Sequence, residues 1–247
     1  MESFTSILGV KFYTGEMPGL LELTAKGGLI VVPSAPVLGD LQRDDAHRRA
    51  LEQADFAITD SGLMVLLWLL IRRQRLPRIS GLRYLRALVD EPNFRRPGAT
   101  FWIMPSDTEM KANLEWLNAN GNPVRPESCY VAPFYPKGEL RDEKLLAAIE
   151  AAKPSYVVIC VGGGVQERLG HYLRSHLSIR PAIICTGAAI AFLSGGQVSI
   201  SPLSDRIMIG WLLRTISNPR VFLPRYVKAA RLIRLLYRYG GNSVKNP

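Results

Sequence analysis

Three short stretches carry the side chains and the bare backbone that chemistry needs. The first is YVVICVGGGVQERLG, residues 156–170, an apolar run ending in Gly162, Gly163 and Gly164, with Gln166 and Glu167 just beyond. Glycines let the backbone come close to a ligand, and a helix starting there offers unpaired N–H groups and a partial positive charge. A phosphate suits such a place. The spacing is neither GxGxxG nor a P-loop, so a tight strand-to-helix turn without a ligand explains the same residues. Gln166 and Glu167 have two readings, contact with a base or sugar, or capping of the helix. The second stretch is TDSG, with Asp60, Ser61 and Gly62 beyond another apolar strand. A carboxylate there can take a proton from a hydroxyl, or it can cap the next helix. The third is TGAA, with Gly187 beyond a further strand. Three such loops from separate strands make a shared site more credible than any one of them.

Other chemistries find little support. No DxD stands in the chain to clamp a nucleotide sugar through a divalent metal, and there is no GxSxG elbow. His47, His171 and His176 form no i, i+4 pair with a partnering acid. Cys129, Cys160 and Cys185 include no CxxC, and two lie in apolar runs, so reduced thiols in a cytosolic setting are expected. No metal and no cofactor are expected. A nicotinamide or flavin enzyme would need a glycine fingerprint after the first strand, where this chain has VPSAP.

The elements that must position these loops alternate. Strands are expected at 29–33, 55–59, 99–106, 128–134, in SYVVIC before the glycines, and in RPAIIC before TGAA. Helices are expected at 41–54, 63–73, 82–90, 108–121, 140–154 and from Val165 onward. Continuous apolar strands separated by helices of about a dozen residues mean βαβ units and a parallel sheet covered on both faces. The expected fold is α/β, a Rossmann-like core over residues 1–200. GLMVLLWLLI at 62–71 is about half of the roughly 20 residues a spanning helix needs, so a buried helix is expected there. The N-terminus lacks the pattern of a signal peptide, and the chain is expected to be soluble.

The remainder, residues 201–247, differs in charge. The 247-residue chain carries a net +10 with a pI near 9.8, which points to an anionic partner. After Asp205 there is no acidic residue, whereas nine basic residues follow. Arg225, Lys228, Arg231, Arg234 and Arg238 recur every three or four residues, one stripe on a helix, with Leu232, Leu235, Leu236 and Tyr239 between them. A basic amphipathic helix of this kind suits an anionic membrane surface. The alternative is a solvated terminal helix packed on its own domain. Nucleic acid is a further class of anion. It would show itself by a salt-dependent shift without preference for anionic liposomes, and it is not the expected partner. A homo-oligomer stays open.

The order of these features resembles the WecG/TagA/CpsF family, glycosyltransferase family 26. The resemblance runs over about residues 28–232. It rests on Ala54, Asp55, Asp60 and Gly62, then Pro77, Arg78 and Gly81, then Gly162, Gln166 and Glu167. Gly187 and Gly195 follow, and then Trp211, Arg214, Pro219, Arg220, Arg225 and Tyr226. The chain departs from the family pattern at Pro33-Ser34-Ala35, Gly81-Leu82-Arg83, Gly164-Val165, Ala191 and Gly210.

The resemblance implies a metal-independent inverting glycosyltransferase. Such an enzyme moves a sugar from a nucleotide donor, commonly a UDP-sugar, to a polyprenyl-diphosphate-linked saccharide in the synthesis of wall polymers, surface antigens or exopolysaccharides. It implies a Rossmann-like core with a membrane-docking C-terminal appendage (GT-E-like), working peripherally on the cytoplasmic face of the inner membrane. Carried onto this chain, Asp60 would be the catalytic base. Ser61, Gly62, the three glycines, Gln166, Glu167 and Gly187 would serve the donor. Arg214, Arg220, Arg225, Lys228 and Arg231 would meet the acceptor diphosphate or the membrane. The competing reading is a noncatalytic membrane-associated relative that acts as a scaffold.

Overall fold

A computed structural model describes residues 3–195 and 230–245. The expected domain boundary near residue 200 lies outside the described residues, as do Arg214, Arg220, Arg225 and Lys228.

Eight strands form one sheet, in the order β1 (Phe4–Ile7), β2 (Val10–Tyr13), β4 (Phe56–Ala57), β3 (Gly28–Val31), β8 (Ala182–Cys185), β7 (Tyr156–Ile159), β5 (Thr100–Met104) and β6 (Cys129–Val131). The parallel part comprises β3 to β8. Successive side chains point to opposite faces, and the core divides accordingly. Leu29, Val31, Val157, Ile159, Ile183 and Cys185 face one cluster. Ile30, Val32, Val158, Cys160, Ala182 and Ile184 face the other. Helices cover both clusters, so the strands can be apolar on every residue. This is the expected Rossmann-like α/β sheet.

Three elements before residue 28 escape the sequence reading. β1 (Phe4–Ile7) and β2 (Val10–Tyr13) form an antiparallel hairpin, and β2 joins the edge of the parallel sheet beside β4. Its turn is Leu8-Gly9, both with positive φ (55° and 81°). Such turns favour Asn-Gly or Asp-Gly, so a leucine there hides the hairpin. Helix α1 (Met17–Ala25) follows it. Between β3 and β4 the chain forms α2 (Ala35–Gly39) and α3 (Asp45–Glu52) in place of one helix over 41–54.

Helix α4 (Gly62–Arg72) corrects the expectation of a buried helix. Met64, Val65 and Trp68 are buried, but Leu66, Leu69 and Leu70 face solvent. A second correction concerns the last helix, α10, residues 230–239. Leu232, Leu235 and Leu236, expected between the basic residues at a membrane, turn inward and join the core. Ala230, Ile233, Arg234, Tyr237 and Arg238 are the exposed residues. The chain after α10 is fastened to the hairpin, where the Leu8 and Gly9 N–H groups donate to the carbonyls of Gly240 (2.8 Å) and Gly241 (3.3 Å). No described helix is long and apolar enough to cross a membrane.

Candidate active site

Four strands adjacent in the sheet, β4, β3, β8 and β7, end at one cavity of about 870 Å³. The crevice beyond the carboxyl ends of strands is where open α/β sheets hold ligands. Each of the three sequence stretches reaches it. Asp60 arrives from β4, the glycine loop from β7, and Thr186 and Gly187 from β8.

The Asp60 loop is laced to the Pro77–Gly81 turn. The Thr59 hydroxyl donates to the Pro77 carbonyl (2.6 Å), and Arg78 Nε donates to the Asp60 carbonyl (2.8 Å). Asp60 Oδ1 accepts the Gly81 N–H at 2.9 Å. Gly81 is the first residue of α5 (Gly81–Asp90), and a helix N-terminus is a favourable place for negative charge. Asp60 is not the cap of α4. Ser61 is, its Oγ accepting the Met64 N–H at 3.2 Å. The two readings of Asp60 therefore separate, because the capping role falls to its neighbour and the Asp60 side chain lines the cavity. Ser61 and Gly62 start the helix and do not line it.

The three glycines differ in what they do. A Cβ on Gly162 would meet nothing within 4 Å, and Gly162 is not a lining residue. A Cβ on Gly163 would come within 2.8 Å of Val37, so its bareness lets the loop after β7 approach the loop after β3. Gly164 sits at φ +88°, in the region that favours glycine. It is the N-cap of α8 (Val165–His176). Both Gly163 and Gly164 line the cavity.

Gln166 and Glu167 are buried on the cavity wall. Glu167 Oε2 accepts the Gly164 N–H at 2.6 Å, which makes it a cap for its own helix. Gln166 Oε1 accepts the Gly187 N–H at 2.7 Å, and its Nε2 donates to Glu167 Oε1 at 3.0 Å. One side chain thus ties the β7 loop to the β8 loop. Gly170, one turn further, lies against Leu29 and Cys185, where an added Cβ would come within 2.6 Å of Leu29 Cδ1. That closeness seats the start of α8 on the sheet.

Arg168, which sequence reasoning missed, extends the network. Its Nε donates to the Gly164 carbonyl (2.9 Å), and its Nη1 to the carbonyls of Pro136 (2.8 Å) and Gly138 (2.6 Å). The spacing of four from Gly164 was the available signal, since i and i+4 share one side of a helix. This staple brings Lys137 and Glu139 to the cavity rim. Arg43, Arg49 and Arg231 stand there together with Asp40, Asp44 and Asp45, so the rim carries both signs of charge. Arg231 pairs with Asp40 at 2.9 Å, and Arg49 pairs with Glu139. Among the described residues Arg43 and Lys137 have no ion pair. Two buried polar atoms on the wall, Thr186 Oγ1 and His47 Nδ1, lack hydrogen-bond partners. Buried polar groups are rarely left so.

Thiol chemistry has no place here. Burial pushes Cys129 up to about 12 and raises the thiols of Cys160 and Cys185, so no thiolate is available near neutral pH. Among the described residues no three His, Cys, Asp or Glu side chains gather as a metal site would require.

An α/β sheet whose carboxyl end gathers a helix start suited to an anion, the Asp60 carboxylate and side chains of both charges around one crevice has the layout of a ligand-binding α/β enzyme. The chain belongs to the glycosyl transferase WecG/TagA/CpsF family, whose profile matches residues 5–245. It is also 22% identical over 216 residues, covering 83% of this chain and 79% of the relative, to the N-acetylglucosaminyldiphosphoundecaprenol N-acetyl-beta-D-mannosaminyltransferase of Bacillus spizizenii.

Proposed function

We propose that this protein is an inverting, metal-independent glycosyltransferase of cell-surface polysaccharide synthesis. It moves an N-acetylhexosaminyl or hexosyl group from a UDP-sugar to a saccharide on a polyprenyl diphosphate. The acceptor class follows the activity that the Bacillus relative is named for. The observation that carries the reading is the convergence of Asp60 and the α8 N-terminus on one cavity.

Asp60 takes the proton from the acceptor hydroxyl as that oxygen forms its bond to the anomeric carbon. The bond from that carbon to the donor diphosphate breaks, and the nucleoside diphosphate leaves with the electron pair. A single displacement inverts the anomeric centre. The growing negative charge on the leaving group needs fixed donors. Support for their source comes from the glycine loop, the dipole of α8, and the cations Arg43 and Lys137 at the rim. Gln166 and Glu167 serve the donor by holding the two loops in register. Arg231, with Arg214, Arg220, Arg225 and Lys228, is assigned to the acceptor diphosphate, which a guanidinium can bind with two parallel bonds. The enzyme works at the cytoplasmic face of the membrane that holds this acceptor.

The test is release of UDP from a panel of UDP-sugars, in EDTA, with a polyprenyl-diphosphate-linked sugar present or omitted. Acceptor-dependent release that persists in EDTA and falls roughly 10²- to 10⁴-fold in Asp60→Asn is expected. Release that needs a divalent metal, or that Asp60→Asn leaves intact, overturns the reading.

A further inference from the structure

Among the described residues, helices α4 and α10 present apolar side chains to solvent. Leu66, Leu69 and Leu70 follow the i, i+3, i+4 spacing of one helical stripe and are 39%, 37% and 67% exposed. On α10, Ile233 and Tyr237 stand one turn apart at 47% and 80%. Among the described residues, Phe134 is the one other large hydrophobic side chain so exposed. The two helices share a setting. Val65 and Trp68 of α4 and Leu232, Leu235 and Leu236 of α10 belong to the same core cluster. The Arg72 guanidinium packs on Gly240, where an added Cβ would lie 2.9 Å from Cζ. The other ends lie at the cavity, through Asp60 just before α4 and Arg231 near the start of α10.

The exposed charged side chains that these two helices and the turn after α4 carry have one sign. Arg72, Arg73 and Arg75 close α4, and Arg234 and Arg238 stand on the outer side of α10, all exposed. No acidic residue occurs between Asp60 and Asp90, or after Asp205.

We infer that this face seats the protein on an anionic bilayer, with the α4 leucines and Ile233 at the acyl boundary and the arginines among lipid phosphates. The inference rests on the lipid-linked acceptor proposed above, and it moves part of the docking surface from the basic C-terminal segment to the core helix α4. Leucine with arginine and tyrosine is the composition of an interfacial helix face. Charge complementarity selects the bilayer over a second copy of the chain. A two-fold contact through this face would set arginines against arginines, whereas an anionic leaflet supplies the opposite charge. Docking through helices that start at the cavity also brings Asp60 toward the headgroup level, where the diphosphate of a lipid-linked acceptor lies.

Flotation of the full chain with phosphatidylglycerol vesicles, and separately with phosphatidylcholine vesicles, tests this. The wild type should float with the first and not the second. Leu69→Glu/Leu70→Glu should lower partitioning about tenfold or more, and Leu70→Glu alone, at a side chain 67% exposed, should lower it in the same direction with little change in melting temperature. Arg234→Gln/Arg238→Gln should lower it roughly fivefold per arginine. A leucine variant that floats like the wild type overturns the inference, as does a wild type that ignores phosphatidylglycerol. So does a wild-type dimer that the leucine variant splits while flotation stays unchanged. Turnover with a water-soluble short-prenyl acceptor separates this proposal from the proposed reaction. The leucine variant should retain that turnover, and a wild type that floats without any turnover breaks the reaction and leaves the surface standing.

Discussion

Strand β4 carries an aspartate at each end, and the two behave differently. Asp55, before the strand, accepts from Arg174 Nε at 2.7 Å, from Arg180 Nη2 at 3.1 Å and from the Leu29 N–H at 2.8 Å. Asp60, after it, accepts the Gly81 N–H and lines the cavity. Helix α8 repeats the pattern. Its first turn holds Glu167 at the cavity, and its last turn sends Arg174 to Asp55. At the amino end the Asp55 ion pairs fill the space between strand and helix, while at the carboxyl end Asp60, Glu167 and bare glycine backbone stand around an open cavity. A charged residue at a strand end therefore says little by itself, and the end on which it stands decides its use.

The sharpest way to break this comparison is Asp60→Asn. If the carboxyl end is for chemistry, turnover falls roughly 10²- to 10⁴-fold and the melting temperature hardly moves. A large loss of stability with proportionate loss of activity would place Asp60 with Asp55 as a fastening. Glu167→Ala probes the mixed case, a carboxylate at the site end that serves structure. It leaves the Gly164 N–H and the Gln166 amide without their partner. Stripping a buried hydrogen-bonded carboxylate of this kind should cost about 2–4 kcal/mol in chemical denaturation. Activity per folded molecule should fall less than in Asp60→Asn. Gly164→Ala is smaller again. An L side chain at φ +88° should cost about 1–2 kcal/mol, whereas Gly162→Ala, with open space and no positive φ, should be near neutral.

Much of this end of the molecule is legible in the sequence. The buried strands β3, β7 and β8 are unbroken apolar runs, and each stops at Pro, Gly or Thr-Gly, which fixes where the loops begin. The convergence on one cavity then follows from the parallel sheet. The side-chain roles are less legible. Asp60 and Ser61 are both good caps, and which one caps depends on hydrogen bonds to a turn 20 residues away. Gln166 read as a ligand contact or a cap, yet it bridges two loops, because Gly187 reaches it only in the folded sheet. The exposed leucines of α4 and the buried ones of α10 defeat pattern reading for one reason. Exposure on a helix is set by what packs against it, and a helix that is apolar on all sides does not announce its partner.

The smallest effect concerns the fastened end. Burial alone would raise the Asp55 carboxyl, but hydrogen bonds from Arg174 and the Leu29 N–H, with the charges of Arg174 and Arg180, outweigh it and hold the group below its ordinary range. A carboxyl depressed in the folded state adds stability that is present above the unfolded value and is lost as pH falls through the folded one. Arg174 and Arg180 are themselves partly exposed, so salt screens the pairs and the contribution is about 1 kcal/mol. Asp55→Asn should therefore lower stability modestly at neutral pH, and wild type and variant should converge as pH falls below the ordinary aspartate range near 4. Chemical denaturation across that range measures it. Activity per folded molecule should stay unchanged, in contrast to Asp60→Asn five residues further along the chain. A gap that persists undiminished in acid would mean that Asp55 acts through shape and hydrogen bonds rather than through its charge.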